Sequence, residues 1–208
     1  MPGMQMEEML VDVVETMQSR FYGKYRGVVT DVDDPEKMGR VKAQVGEIYQ
    51  EVESPWALPS VPFAGPQHGF VLIPETGDGV WIEFEGGDPS RPIWTGCWWA
   101  SGDMPAPADT QVRALITTAG HQLILDDDNK EIHLLHCGGA EIKMTDDDVT
   151  ITIGQSEIKL TSDDISLKNG STEIKLTNSD LTLKGGPSAQ IKLSASGVEV
   201  NNGAMKVM

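Results

Sequence analysis

The last 109 residues have no Phe, Trp or Tyr: all twelve lie between Phe21 and Trp99. Globular cores are usually filled by such rings, so the second half must bury something narrower. Cysteine is almost as scarce. Cys97 and Cys137 lie far apart, which leaves no disulfide framework and no zinc cluster legible from spacing. Basic residues are outnumbered two to one, 16 Lys and Arg against 32 Asp and Glu, for a formal net charge of −16. That balance excludes a nucleic-acid partner, whose binding rests on clustered Lys and Arg. It bears on solubility and leaves the fold open. No apolar run approaches the ~20 residues of a membrane span. The start, "MPGMQMEEML", lacks the basic and apolar segments of a secretory leader, so assembly in the cytoplasm is expected.

What is present divides the 208 residues in two, within the range of one large domain or two small ones. Ten of the twelve prolines fall between Pro35 and Pro107, alongside the aromatics. The join, "ASGDMPAPADT", has linker composition, and residues 101–115 are read as linker. Residues 1–22 form a helical segment: Met6, Met9, Leu10, Val13, Val14, Met17 and Phe21 make an apolar stripe, with Glu7, Glu8, Asp12, Glu15 and Gln18 opposite. Such a stripe covers one end of the next domain or docks a partner. Residues 23–100 read as short strands with turn punctuation, from "YRGVVTDV" and "GRVKAQV" to "GVWIEFEGGDPSRPIWTG". In the last, Val80, Ile82 and Phe84 share a face opposite Trp81 and Glu83. Five or so short strands in this length predict a small antiparallel barrel of OB type.

Residues 116–208 carry a repeat. Ile142, Ile158 and Ile174 are sixteen apart, as are Met144, Leu160 and Leu176, Val149, Ile165 and Leu181, and Ile151, Leu167 and Leu183. A further copy supplies Ile191, Leu193, Val198 and Val200, and "QLILDDDNKEIHLL" is a looser one ahead of the series. Each unit reads as two strands, apolar inward, with Lys143, Lys159, Lys175 and Lys192 outward beside Glu141, Glu157 and Glu173. Two strands per repeat cannot enclose a core. The calcium-cemented β-roll needs a Gly-Gly-x-Gly-x-Asp turn, which "CGGAEI" and "KGGPSA" lack. The remaining solution is three copies winding together, a homotrimeric triple-stranded β-helix on the order of 50 Å long that leaves no open ladder edge.

The aromatic half carries a spaced set of elements: Asp34-Pro35 with Gly39-Arg40-Val41, Trp56, Ala64-Gly65, Pro74, Gly77-Asp78, Val80, Phe84, Gly87-Asp88-Pro89, Arg91-Pro92 and Gly96. In this order they resemble the OB domain of phage baseplate assembly protein V and of VgrG-type spikes. The resemblance implies a homotrimeric central spike of a contractile injection system, a phage tail or a tail-like particle. It implies OB domains under a hub of baseplate proteins, and a needle that reaches the target membrane on injection. It also implies a structural protein without catalysis, since the linker is too short for the lysozyme that some relatives insert. Some relatives end in a His-x-His element that holds iron. Here the end is "VEVNNGAMKVM", which predicts a blunt tip where Val200, Met205, Val207 and Met208 receive a separate PAAR-type tip protein.

Other chemistry finds little footing. His133 and His136 are three apart, which puts them on opposite strand faces; with His121 they read as turn-flanking residues, and no metal or cofactor is expected. "DDDN" and the recurring "TDDD", "TSDD" and "TNSD" read as β-turns in preference to calcium loops. Neither cysteine has a histidine at a usable spacing, so no nucleophile is expected. The alternatives are an OB-fold carbohydrate-binding module with a repeat spacer, and an enzyme with a scattered dyad.

Overall fold

The computed structural model describes residues 9–11, 13, 14, 17, 19–107 and 109–207, and the side chains as far as residue 205. The readings on Met6, Glu7, Glu8, Asp12, Glu15, Gln18 and Met208, and on the Val207 side chain, lie outside it. The chain divides into two compact units, residues 1–104 and 105–208, and it is mainly β.

In unit one, Met9, Leu10, Val13, Val14 and Met17 are helical and exposed. The strands β1 (Tyr25–Asp31), β2 (Lys42–Gln44), β3 (Leu58–Pro59), β6 (Gly79–Phe84) and β7 (Pro92–Trp98) form a sheet in the order β2-β1-β6-β7-β3. Bridges Val41–Ala57 and Gln44–Glu53 lead from β2 back toward β3, which gives the OB-like barrel. A short helix α1 (Gly46–Tyr49) and a hairpin of β4 (Ala64–Gly65) and β5 (His68–Gly69) complete the unit. The alternation in β6 works as written: Val80, Ile82 and Phe84 are buried, and they meet Val29, Val41, Ala43, Val45, Ala57 and Trp94 in the core. Phe21, Tyr25 and Tyr49 close one end, each with its ring centroid 5.6–6.2 Å from that of Phe84. Edge and tilted geometries of this kind add to simple burial.

Unit two is one antiparallel meander. β8 (Val112–Ile116), β9 (Gln122–Asp126), β10 (Glu131–Leu135), β11 (Glu141–Met144), β12 (Asp148–Ile153) and β13 (Ser156–Thr161) are followed by β14 (Asp164–Asn169), β15 (Thr172–Thr177), β16 (Asp180–Gly185), β17 (Gln190–Ser194), β18 (Gly197–Val200) and β19 (Met205–Val207). They pair in chain order as a 12-stranded sheet. β8 begins at Val112, inside the stretch read as linker, because "VRALI" pairs in register with β9. Among the described residues the sheet has no second layer within unit two. Every buried apolar side chain among the described residues belongs to unit one, and in unit two Ser166 alone is buried.

Candidate functional site

The period-2 pattern and the antiparallel register together sort unit two into two unlike faces. On one face the pairing aligns two unbroken apolar rows. The first runs Leu115, Leu123, Leu134, Ile142, Ile151, Ile158, Leu167, Ile174, Leu183, Ile191, Val200 and Met205. The second runs Leu125, Ile132, Met144, Val149, Leu160, Ile165, Leu176, Leu181, Leu193 and Val198. All sixteen residues read from the repeat as inward lie in these rows; the copy ahead of the repeat lengthens both by two strands, and β8 adds Leu115 to the first. The face is open: Ile158, Leu167 and Leu176 are 38%, 40% and 43% exposed. A contiguous apolar surface of this length on one chain marks a surface that another molecule covers.

The other face is a ladder of charges. Lys159 pairs with Asp148 at 2.6 Å, Lys175 with Asp164 at 2.8 Å and Lys192 with Asp180 at 2.9 Å, one step of the repeat apart. Lys168–Glu157 and Lys184–Glu173 form a second column. Hydrogen bonding to its carboxylate raises the pKa of each of Lys159, Lys175 and Lys192, and the lysines lower those of Asp148 and Asp180. These pairs lie at the surface and give little stability singly. Their role is to commit this face to water, which leaves the apolar face for protein.

The turns recur in the same register. Thr145, Thr161 and Thr177 each accept at Oγ1 the N–H groups of the residues two and three further on, at 3.0–3.3 Å. Asp126 accepts the N–H groups of Asp128 and Asn129 in the same manner. The acidic runs thus act as turns. The threonine hub was not singled out from the sequence, although "TDDD", "TSDD" and "TNSD" show it at each first position.

In unit one the motif residues fasten loops. Asp34 takes the Arg40 guanidinium and the N–H groups of Glu36, Met38 and Arg40, with Pro35 inside the loop. Arg40, chiefly, holds the Asp34 carboxyl far below the usual range. Trp56 lies beneath Arg40 and Lys42, and the Trp94 indole donates to Gly39 O at 3.0 Å. Gly65 leaves room for the His68 ring, and Pro74 is buried. Asp78 takes the Glu75 N–H beside Gly77, which has φ +100°. Gly87 has φ +77° and its carbonyl accepts the Phe21 N–H, while Asp88 holds Ser90. Pro89 O accepts the Tyr49 hydroxyl, Arg91 reaches Glu85, Pro92 opens β7, and Gly96 has φ +136° within it. Trp81 and Trp98 flank Arg26 at 5.6 and 5.3 Å.

The histidines separate as their spacing predicts. His133 faces the polar side of β10 and meets Glu141 at 2.9 Å, whereas His136 follows the strand end. The expectation that Cys137 has no histidine within reach is overturned: His121 Nε2 lies 3.6 Å from its Sγ, because the β8–β9 and β10–β11 turns are neighbours on one edge of the sheet. Sixteen residues of sequence separate the two and hide the approach. Partial desolvation, then the Asp78 carboxylate, pushes the exposed Cys97 thiol up and away from nucleophilic use. Residues 201–207 fold back as a hairpin, with Met205 opposite Val200 and β19 as the last strand of the sheet.

A barrel of this type joined to a one-layer repeat sheet with an open apolar face defines a protein built to oligomerise along its length. Residues 25–99 match the type VI secretion system/phage-baseplate injector OB domain, and residues 113–173 match the phage baseplate V C-terminal trimerisation domain. The chain belongs to the phage baseplate V family of VgrG-type spike proteins, structural components of phage baseplates and type VI secretion systems. It is similar to actin cross-linking toxin VgrG1 of Vibrio cholerae serotype O1, 35% identical over 74 residues. The match spans 35% of this chain and 7% of that protein.

Proposed function

We propose that three copies of this chain close their apolar sheet faces on a common axis and form the needle of a contractile injection machine. The observation that carries this is the pair of unbroken apolar rows on a sheet with no covering layer of its own. The family's C-terminal domain is a trimerisation domain, which supports the same count. The needle acts mechanically: it transmits the thrust of the machine to a target membrane and turns over no substrate. Hub and baseplate proteins sit above the OB domains, and the exposed helical stripe of Met9, Leu10, Val13, Val14 and Met17 is available to them. A PAAR-type tip protein caps the opposite end at Val200, Met205, Val207 and Met208. The particle is assembled in the cytoplasm and acts as part of a phage or tail-like particle. The actin cross-linking named for the relative is not carried over, because the match covers so little of that protein.

The test is oligomeric state. Sedimentation equilibrium of the purified chain should give a trimer, and Ile158→Asp should give monomer or aggregate, since it buries three unpaired carboxylates near one axis. Lys159→Gln on the polar face should remain trimeric. A monomeric wild type, or an Ile158→Asp trimer as stable as the parent, overturns the reading.

A further inference from the structure

The later turns on one sheet edge, such as Gly154-Gln155 and Gly170-Ser171, contain no His, Cys, Asp or Glu. The first two turns on that edge differ. They are wider, and they bring His121, His136 and Cys137 together with one potential ligand atom from each within 4.8 Å of the others. Both turns are held by their own backbone. Thr117 N–H donates to His121 O at 3.0 Å and Gly120 N–H to Thr117 O at 2.8 Å. His136 N–H donates to Ala140 O and Gly139 N–H to His136 O, each at 2.8 Å. The imidazole rings sit 4.6 Å apart, centroid to centroid. The three ligands therefore come from two rigid neighbouring turns and need only side-chain adjustment to converge.

We propose that His121, His136 and Cys137 bind one zinc ion per chain, with water in the fourth position, and so staple the β8–β9 turn to the β10–β11 turn. The donor set, two imidazoles and one thiolate, suits a borderline-soft divalent ion and is poor for calcium or magnesium. Zinc–sulfur and zinc–nitrogen bonds of about 2.3 and 2.0–2.1 Å put tetrahedral ligand atoms roughly 3.3–3.8 Å apart. The Cys137 Sγ to His121 Nε2 distance of 3.6 Å is already there. Binding expels the thiol proton to solvent. A ring that coordinates through Nε2 must also give up the backbone N–H it accepts at Nδ1, from Cys137 for His121 at 3.4 Å and from Gly138 for His136 at 2.9 Å. Those are neutral hydrogen bonds, one of them long, and they are minor beside metal coordination. His121 and His136 border the start of the first apolar row, beside Leu115, Leu123 and Leu134, and metal binding is read separately from oligomeric state.

The experiment is titration of the chelator-stripped full chain with Co²⁺ as a spectroscopic stand-in, followed by competition with Zn²⁺. A thiolate-to-cobalt charge-transfer band that saturates at one ion per chain is expected. Cys137→Ser should abolish the band. His121→Ala and His136→Ala should each weaken Zn²⁺ binding by at least the roughly 10–100-fold that loss of a mere outer-shell partner costs. Cys97→Ser and His133→Ala should bind as the parent does. Zn²⁺ should also slow alkylation of Cys137 in the unmodified chain, a readout that needs no variant. Absence of the band, its survival in Cys137→Ser, its loss in Cys97→Ser, or alkylation of Cys137 indifferent to Zn²⁺ overturns the proposal.

Discussion

Asp34 accepts three backbone N–H groups and the Arg40 guanidinium, and the loop "DDPEKMGR" takes its shape from that one carboxylate. Its folded pKa is depressed, chiefly by Arg40. The stabilisation is therefore fully present above the ordinary value of 3.8 and is lost as pH falls from there toward the folded value. Asp34→Asn should lower the thermal midpoint of unit one by several degrees at neutral pH. The gap to the parent should narrow once the pH drops below 3.8, and scanning calorimetry across an acid series reads both. A gap that widens in acid would show that the charge is not what matters. Gly87 makes a second point at this scale. With φ +77° and a would-be Cβ 2.9 Å from the Tyr22 ring, it needs both the freedom and the space of glycine. Gly87→Ala should cost about 1–2 kcal/mol, the scale of a left-handed L-residue, in chemical denaturation of unit one.

At the scale of the element, three hairpins of unit two depend on a threonine hydroxyl that organises the turn from its first position. Thr161→Val keeps the β-branched shape and removes the acceptor, leaving the N–H groups of Asp163 and Asp164 to water. A loss of about 1 kcal/mol is expected from that substitution. Thr145→Val and Thr177→Val should cost about the same, since their turns have the same geometry. Three unequal losses, measured by thermal unfolding, would mean that the repeats are not energetically equivalent. The lysine columns on the same hairpins lack that leverage. Their pairs are solvated and mutually replaceable, so Lys175→Gln should leave the midpoint nearly unchanged.

At the scale of the whole molecule, the twelve strands of unit two, spaced by ~4.8 Å, make a sheet about 50 Å long, the length of the proposed needle. Three chains that close such long apolar faces on one axis separate only by exposing the whole of each face, so the proposed trimer should be kinetically stable. Subunit exchange between isotope-labelled and unlabelled protein, followed by native mass spectrometry, should be negligible over days at room temperature. Rapid exchange would be incompatible with a piercing role. Removal of residues 201–208 deletes the final hairpin strand and should abolish capture of a PAAR-type tip protein while the remaining trimer persists. Retention of the cap by the truncated needle would place its seat elsewhere.

The sequence by itself determined the two-part division, the barrel alternation and the inward and outward columns of the repeat. Each of these is a local or periodic property: Val80, Ile82 and Phe84 alternate along one strand, and Ile158 and Leu167 recur at a fixed step. Strand period and turn chemistry act over a few residues, and a sequence displays them directly. The tertiary structure decided what depends on neighbours across the fold. It placed β8 within the stretch read as linker, because pairing with β9 rewards an otherwise unremarked "VRALI". It also supplied the partners by which the motif residues fasten their loops, such as Arg40 for Asp34 and Phe21 for Gly87. Above all, it set His121 beside Cys137, sixteen residues on, because successive turns of a meander stack on one edge and strand spacing alone fixes their approach.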